Sequence, residues 1–190
     1  MEITRENTMA LLREHNKDEA HIKHALAVEA TMRYFAQKSG NDTELWGLVG
    51  LLHDIDWEET QETPEKHCHM APAWLKEAGY SDEIIRAVQS HGWGICSDVE
   101  PVSEMEKTLF AIDELTGLII TTALVRPGKS LQDLKVKSVK KKWKDKRFAA
   151  GVDREVITKG AEMLGVTVED LIGGTIEAMK PVESELGLGE

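Results

Sequence analysis

The chain has 190 residues, 41% of them hydrophobic and 30% charged, and a net charge of −11. That length suits one domain with a real core; no apolar run approaches the ~18 residues of a membrane span, and the negative surplus argues against wholesale nucleic-acid binding. The opening MEITRENTMALLREH lacks an apolar signal core, and Cys68 and Cys96 form no disulfide framework, so a reducing, cytoplasmic location is expected.

Helical signals dominate. Thr4 to Glu14 reads as a first helix, and Asp18 to Lys38 as a long second one ending at Gly40. Asp42 is a suitable N-cap for a helix running through Trp46, Val49 and Leu52 to His53. Thr63-Pro64 predicts a cap followed by proline at the first helical position, with the helix running to Glu77 and stopping at Gly79. Pro72 inside it predicts a kink or an early break. Ser81 starts a helix that ends near His91-Gly92. A loop to Pro101 leads to the capping box Ser103-Glu104-Met105-Glu106 and an apolar helix through Leu109, Ile112, Leu115 and Ile119, ended by Arg126-Pro127-Gly128. A basic helix is expected at about Leu131 to Arg147, since Lys129 to Arg147 holds nine basic residues against Asp133 and Asp145. Asp153 and Thr167 cap two more helices separated by Gly165, and the tail after Lys180 is expected to fray. With no convincing strand, repeat or linker, the class is all-α: a single domain, 1–190, with a core at about 18–126 and a helical C-terminal extension at about 129–180.

Six residues stand out on or beside helices that also carry apolar residues: His24, His53, Asp54, His67, His91 and Asp113. Asp113 lies in LFAIDELTGLII, where an unpaired buried carboxylate is costly. Imidazoles and carboxylates together suit borderline or hard divalent metals, and a cation supplies the positive partner that Asp54 and Asp113 need. If His67 and His69 share a helix, His67 lies with Ala71, Trp74 and Leu75 on the core side and His69 with Ala73 and Lys76 on the exposed side. His67 is therefore taken as the ligand and His69 kept as the alternate. His15, His21 and His69 otherwise read as core or surface histidines, Cys68 and Cys96 as inert thiols with Cys96 near the mouth of the site, and Trp46, Trp74 and Trp143 as packing residues. Thr116-Gly117 reads as a place of close helix packing.

A histidine in a helix, an adjacent His-Asp pair and an aspartate on a later helix form the pattern of the HD-domain metal-dependent phosphohydrolases. This chain resembles that family at His24 in HIKHALAVE, His53-Asp54 in GLLHDID, His67 in HCHMAPAWL, His91 in AVQSHGW and Asp113 in LFAIDELTG, across about residues 20 to 125. LKVKSVKKKWKDKRFAAGVDREVI resembles the C-terminal part of an uncharacterised HD subgroup. The resemblance implies an all-helical HD-domain bundle, and a metal held by His24, His53, Asp54 and Asp113 with a second at His67 and His91. Asp54 would bridge the two, with His53 and Asp54 as the catalytic pair. One or two divalent ions, among Fe, Mn, Zn, Ni and Co, are the expected cofactor.

Many members continue the pair as HD-Ile-Gly-Lys; here it reads HD-Ile-Asp-Trp, with Trp57 where that lysine stands, leaving Asp56, Glu58 or a downstream lysine as substitutes. The expected activity is metal-dependent hydrolysis of a phosphoester or phosphoanhydride in a nucleotide or other small phosphorylated metabolite. No Gly-x-Ser-x-Gly and no P-loop offers an alternative chemistry. Lys137, Lys141 and Lys144 share a face, with Lys140 beside them, and either grip substrate phosphates or form a solvated face. Trp93, in a glycine-flanked loop, is a candidate substrate contact. The competing readings are an HD-fold di-iron oxygenase and a non-catalytic nucleotide-binding sensor. The expected partner is the small substrate; nucleic acid and membrane are not expected, and a homodimer is left open.

Overall fold

A computed structural model describes residues 2–189. Most of its helices begin on a short polar side chain that accepts an otherwise orphaned backbone N–H. Thr4 caps α1 (Arg5–His15), Asp18 caps α2 (Glu19–Ser39), and Asp42 caps α3 (Thr43–Leu52) by accepting from the amides of Glu44 and Leu45. A single turn, α4 (Trp57–Thr60), and a 3-10 turn (Pro64–Lys66) lead to α5 (Ala71–Ala78). Ser81 caps α6 (Asp82–Ser90), and the Ser103–Glu106 capping box opens α7 (Glu104–Leu124). Then come α8 (Val136–Trp143), α9 (Arg154–Leu164) capped by Asp153, and α10 (Val168–Met179) opened by a Thr167–Asp170 box. The described residues form no strand, and none of their helices is long and apolar enough to cross a membrane.

The all-α expectation is met. Helices α2, α3 and α7 form the centre: α2 packs on α3, α7 and α10, and α7 also packs on α9. One cluster of buried apolar side chains runs from Leu12 to Leu188 and includes residues of α9 and α10. Two glycines set the closest helix approaches. A Cβ on Gly50 would stand 2.8 Å from Glu29 Cα, and one on Gly160 would stand 2.5 Å from Ala111 Cα. The α2–α3 seam also buries Glu29, whose carboxylate accepts from Arg5 Nε at 2.7 Å and Arg33 Nε at 2.9 Å. The charge is thus paired where an unpaired one would be destabilising.

Three expectations change. The segment from Thr63 to Glu77 is not one helix: after the 3-10 turn, His67 is extended (ψ 143°) and Cys68 is left-handed (φ 68°). Helix α5 starts at Ala71, so that Pro72 falls in its first turn, where a missing N–H costs nothing. The basic helix is only Val136–Trp143. Lysines at i,i+4 (137 with 141, 140 with 144) repel along that face, and Asp145 accepts from the Arg147 amide in a turn instead. The tail does not fray. Leu186 and Leu188 are buried, and the Glu183 carboxylate accepts from the Leu131 amide and Gln132 Nε2, both at 2.6 Å.

Gly160→Ala should destabilise the fold by about 1–3 kcal/mol, because overpacking against the α7 backbone outweighs alanine's helix preference. Gly173→Ala, whose Cβ would meet only Val136 Cγ2 at 3.6 Å, should be neutral or stabilising. Urea midpoints of the two variants check this; a Gly160→Ala midpoint at or above the parent's would refute it.

Candidate metal centre

Two helix ends build half of the site by the same local device. His53 and His91 are the C-caps of α3 and α6, and each ring turns back to donate Nδ1–H to the carbonyl three residues earlier. The partners are Gly50 O at 2.8 Å and Val88 O at 2.5 Å. A carbonyl can only accept, so Nδ1 carries the proton in both rings and each neutral ring keeps its Nε2 lone pair. Both rings therefore sit at the negative end of a helix dipole, a place that favours cations.

His67 is oriented by a different route. Its Nδ1 donates to Asp56 Oδ1 at 2.8 Å. Asp56 is fully buried and also accepts from the amides of Cys68 (3.2 Å), Met70 (3.0 Å) and Ala71 (3.0 Å). Burial pushes its carboxyl upward, but His67 and these amides outweigh that and hold it below the usual range. This one carboxylate supports the left-handed turn at Cys68 and aims His67. His24 projects from α2, with Nδ1 near Thr116 Oγ1 at 3.4 Å and Nε2 beside Asp113 Oδ1 at 2.9 Å.

The six residues meet. Asp54, in the turn after α3, faces two imidazole pairs with two different oxygens. Its Oδ2 lies 3.4 Å from His53 Nε2 and 3.6 Å from His24 Nε2; its Oδ1 lies 3.2 Å from His67 Nε2 and 3.3 Å from His91 Nε2. Within the pairs, Nε2–Nε2 is 3.1 Å for His24–His53 and 3.1 Å for His67–His91. Asp113 Oδ1 completes the first set, 3.4 Å from His53 Nε2.

The donors fit a metal. In the His67–His91 pair both Nδ1 protons are committed outward, so two neutral rings would point lone pairs at each other. Only a positive partner, a proton or a cation, resolves that. The titration directions say the same. Burial pushes His53 down, yet the charges of Asp54 and Asp113 raise it well above its ordinary value; His67 reaches about 10 against burial through Asp54 and Asp56. Asp54 and Asp113 are lowered by His53 despite burial. Neighbouring Glu114 goes up to about 7, by burial and then by the Asp113 charge.

His24, Asp54, His67, His91 and Asp113 form the floor of a cavity of about 360 Å³, with His53 buried beneath it, and its walls include Trp57, Pro64, Ile95, Cys96, Glu114 and Gly117. Gly151, Val152 and Val156, from the turn before α9 and its first residues, close another side. Trp57 thus holds an apolar wall where the resembling family has a lysine, and its ring stands edge-on to His67 with centroids 5.1 Å apart.

Several candidates lie elsewhere. His69 is exposed and its Nε2 contacts Cys96 O at 2.7 Å, so His67 and not His69 joins the cluster; the extended His67 and left-handed Cys68 achieve this, not a helical face. Trp93 is not in the cavity lining; it packs on Phe110 and lies 3.4 Å beneath Lys159 Nζ. Lys137, Lys141 and Lys144 are exposed and outside the lining, and Lys140 pairs with Glu169. Neither acid proposed to replace the missing lysine faces the cavity. Asp56 is consumed as described, and Glu58 accepts from the amides of Lys17 and Asp18 and from His21. Asp56 was legible as an acid beside the pair, but its task was not, because its partners come from a turn the sequence presented as helix.

Searches against protein-family models find no match, and no solved structure matches. Similar curated proteins are a ribonuclease Y of Desulfotalea psychrophila (29% identical over 72% of this chain) and one of Staphylococcus epidermidis (27% over 71%). A ribonuclease Y 2 of Levilactobacillus brevis is 25% identical over 87% of the chain. The matched segments cover 26–30% of those relatives' own length. The similarity and the histidine–aspartate cluster are consistent with an HD-type phosphohydrolase and support a hydrolase role in general.

Asp56→Ala should lower metal affinity about 10–100-fold, the usual cost of losing a ligand's orienting partner. Zinc titration by calorimetry checks this, with circular dichroism confirming the helices; unchanged affinity in a folded variant would refute the orienting role. His67, at about 10, holds its proton at pH 7 when no cation is bound. Zinc binding at pH 7 should therefore release protons, and affinity should fall as pH falls. Indicator dye in weak buffer reads the release, and its absence would contradict ligation by His67.

Proposed function

We propose that the chain hydrolyses a phosphoester or phosphoanhydride bond in a nucleotide or another small phosphorylated metabolite, with one or two divalent cations held at the six residues. The observation that carries this reading is the Asp54 carboxylate, whose two oxygens face separate imidazole pairs on the floor of an accessible cavity. One oxygen per pair is the arrangement a bridging ligand needs. His24, His53 and Asp113 would complete one position, and His67 and His91 the other.

A divalent cation held there would supply a water acidified toward neutrality and would polarise a phosphoryl oxygen. The chain's own contribution is placement. The Nδ1 anchors on Gly50 O, Val88 O and Asp56 keep the ligand lone pairs fixed as charge develops, so little reorganisation is needed. Trp57, Val152, Val156 and Ile95 offer apolar surface for the non-phosphate part of a substrate and exclude water from the floor. A cavity of about 360 Å³ falls within the range of small-molecule sites.

The similarity to ribonucleases Y favours a second reading, phosphodiester hydrolysis in RNA. The exposed lysines outside the cavity bear on the choice, because a polymer extends past the cavity and a small metabolite does not.

A panel of nucleotides, generic phosphoesters and oligoribonucleotides, with Mn, Fe, Co, Ni or Zn supplied, should yield a turned-over substrate. His53→Ala and Asp54→Asn should each cost more than about 100-fold in kcat/KM, since direct ligands exceed the loss for their orienting partners. Reversing charge at Lys137 and Lys141 should leave KM for a mononucleotide substrate unchanged and raise it for an oligoribonucleotide. No hydrolysis anywhere in the panel would count against the reading, and activity confined to oligoribonucleotides would select the second.

A further inference from the structure

Two thiols meet at the cavity wall, Cys96 in its lining and Cys68 buried behind it, with their sulfurs 3.7 Å apart. The meeting point is Gly92: a Cβ there would stand 2.5 Å from Cys96 Sγ and 2.7 Å from Cys68 Sγ. Any other residue at position 92 would push the sulfurs apart. Cys68 is buried and occupies left-handed backbone (φ 68°), a conformation that branched and bulky residues avoid and that its turn holds through Asp56. Cys96 is only partly buried and lines the cavity, so a small reagent entering the cavity reaches it first. The two loops are tied together, because His69 Nε2 contacts Cys96 O at 2.7 Å. Both are also tied to the cation ligands. Cys68 follows His67 in the chain, Gly92 follows His91, and Cys68 Sγ lies 3.7 Å from His91 Nδ1.

We propose that Cys68 and Cys96 are a modification site at which a hydroperoxide forms a disulfide, and that the oxidised chain loses cation binding at His67 and His91. The second half rests on the metal-centre reading; the first does not. The Cys96 sulfur attacks the peroxide oxygen; the O–O bond breaks, Cys96 becomes a sulfenic acid, and an alcohol or water leaves. The Cys68 sulfur then attacks the Cys96 sulfur; an S–S bond forms, the S–O bond breaks, and water leaves. Two thiols are oxidised by two electrons and one peroxide is reduced. Closing the sulfurs from 3.7 Å to the ~2.05 Å of a disulfide draws the turn after His67 toward the loop after His91. That motion disturbs both imidazoles against a cation whose bond lengths tolerate only about ±0.2 Å.

The test uses the reduced chain and hydrogen peroxide. Intact mass under non-reducing conditions should fall by about 2 Da, two hydrogens lost. A peptide pair linked through positions 68 and 96 should appear, and Cys68→Ser should leave a sulfenic acid at Cys96 that dimedone traps. Zinc bound after oxidation should drop by about one ion per chain and return with dithiothreitol. Cys96→Ser, which leaves Cys68 beside His67 and His91, should bind zinc like the reduced chain and keep that zinc in peroxide. Over-oxidation of Cys96, or disulfides between chains with no 68–96 link, overturns the modification site. A 68–96 disulfide with unchanged zinc overturns the coupling. A reduced chain that binds no zinc overturns the coupling together with the metal reading, while the mass measurement still decides the disulfide.

Discussion

The Nε2 atoms of four imidazoles converge on the carboxylate of Asp54, and that convergence is the constraint on which the rest of the centre depends. Like partial charges do not gather unaided in the floor of a bundle. They are held there because each outer nitrogen of His53, His67 and His91 is spent on an acceptor belonging to the scaffold: Gly50 O, Asp56 and Val88 O. The same commitments fix which ring nitrogen faces inward, so one set of hydrogen bonds decides both orientation and chemistry. The helix ends add to this. α3 and α6 point their C-termini at the cluster, and the negative ends of two dipoles join two carboxylates in demanding a positive partner.

Packing provides the rigidity. α3 is buried from Trp46 to Leu52, and Gly50 lets its backbone lie against Glu29 of α2, so His53 and His24 are carried by two helices that cannot slide independently. Asp113 arrives on α7, which α9 holds from behind at Gly160. The residues after Pro127 therefore do more than follow the core. Gly151, Val152 and Val156 wall the cavity, the Asp153 amide donates to Glu114 at 3.2 Å, and the C-terminal leucines close the hydrophobic cluster.

Trp57 stands where many members of the resembled family carry a lysine, so an aromatic ring takes that place beside the cluster, and Asp56 and Glu58 serve the scaffold instead of the cavity. The cavity wall is correspondingly apolar at Trp57, Ile95, Val152 and Val156, above a floor of imidazoles and carboxylates. Between the two histidine-bearing loops lies a thiol pair, with Cys68 Sγ 3.7 Å from His91 Nδ1.

The residues of the cluster were legible one by one, because acids and imidazoles inside apolar helical stretches announce an unmet electrostatic need. So were the helices capped by Asp18, Asp42, Ser81, Ser103, Asp153 and Thr167, since capping is a contact between near neighbours. Pattern alone misplaced the segment around His67, the basic run and the tail. Around His67 and in the tail a distant partner overrules local propensity, since Asp56 holds the Cys68 turn and Glu183 binds the Leu131 amide; in the basic run, repulsion between lysines one turn apart ends the helix early. The sequence by itself determined the helical class and which acids and imidazoles were candidates for the cluster, since helix caps and apolar faces rest on interactions a few residues long. Only the tertiary structure decided that Asp54 faces both imidazole pairs, that Asp56 serves His67, and that two thiols share the space above Gly92. Those relations join positions on different elements, 11 residues apart for Asp56 and His67 and 28 for the two thiols, and packing, not periodicity, sets the distances.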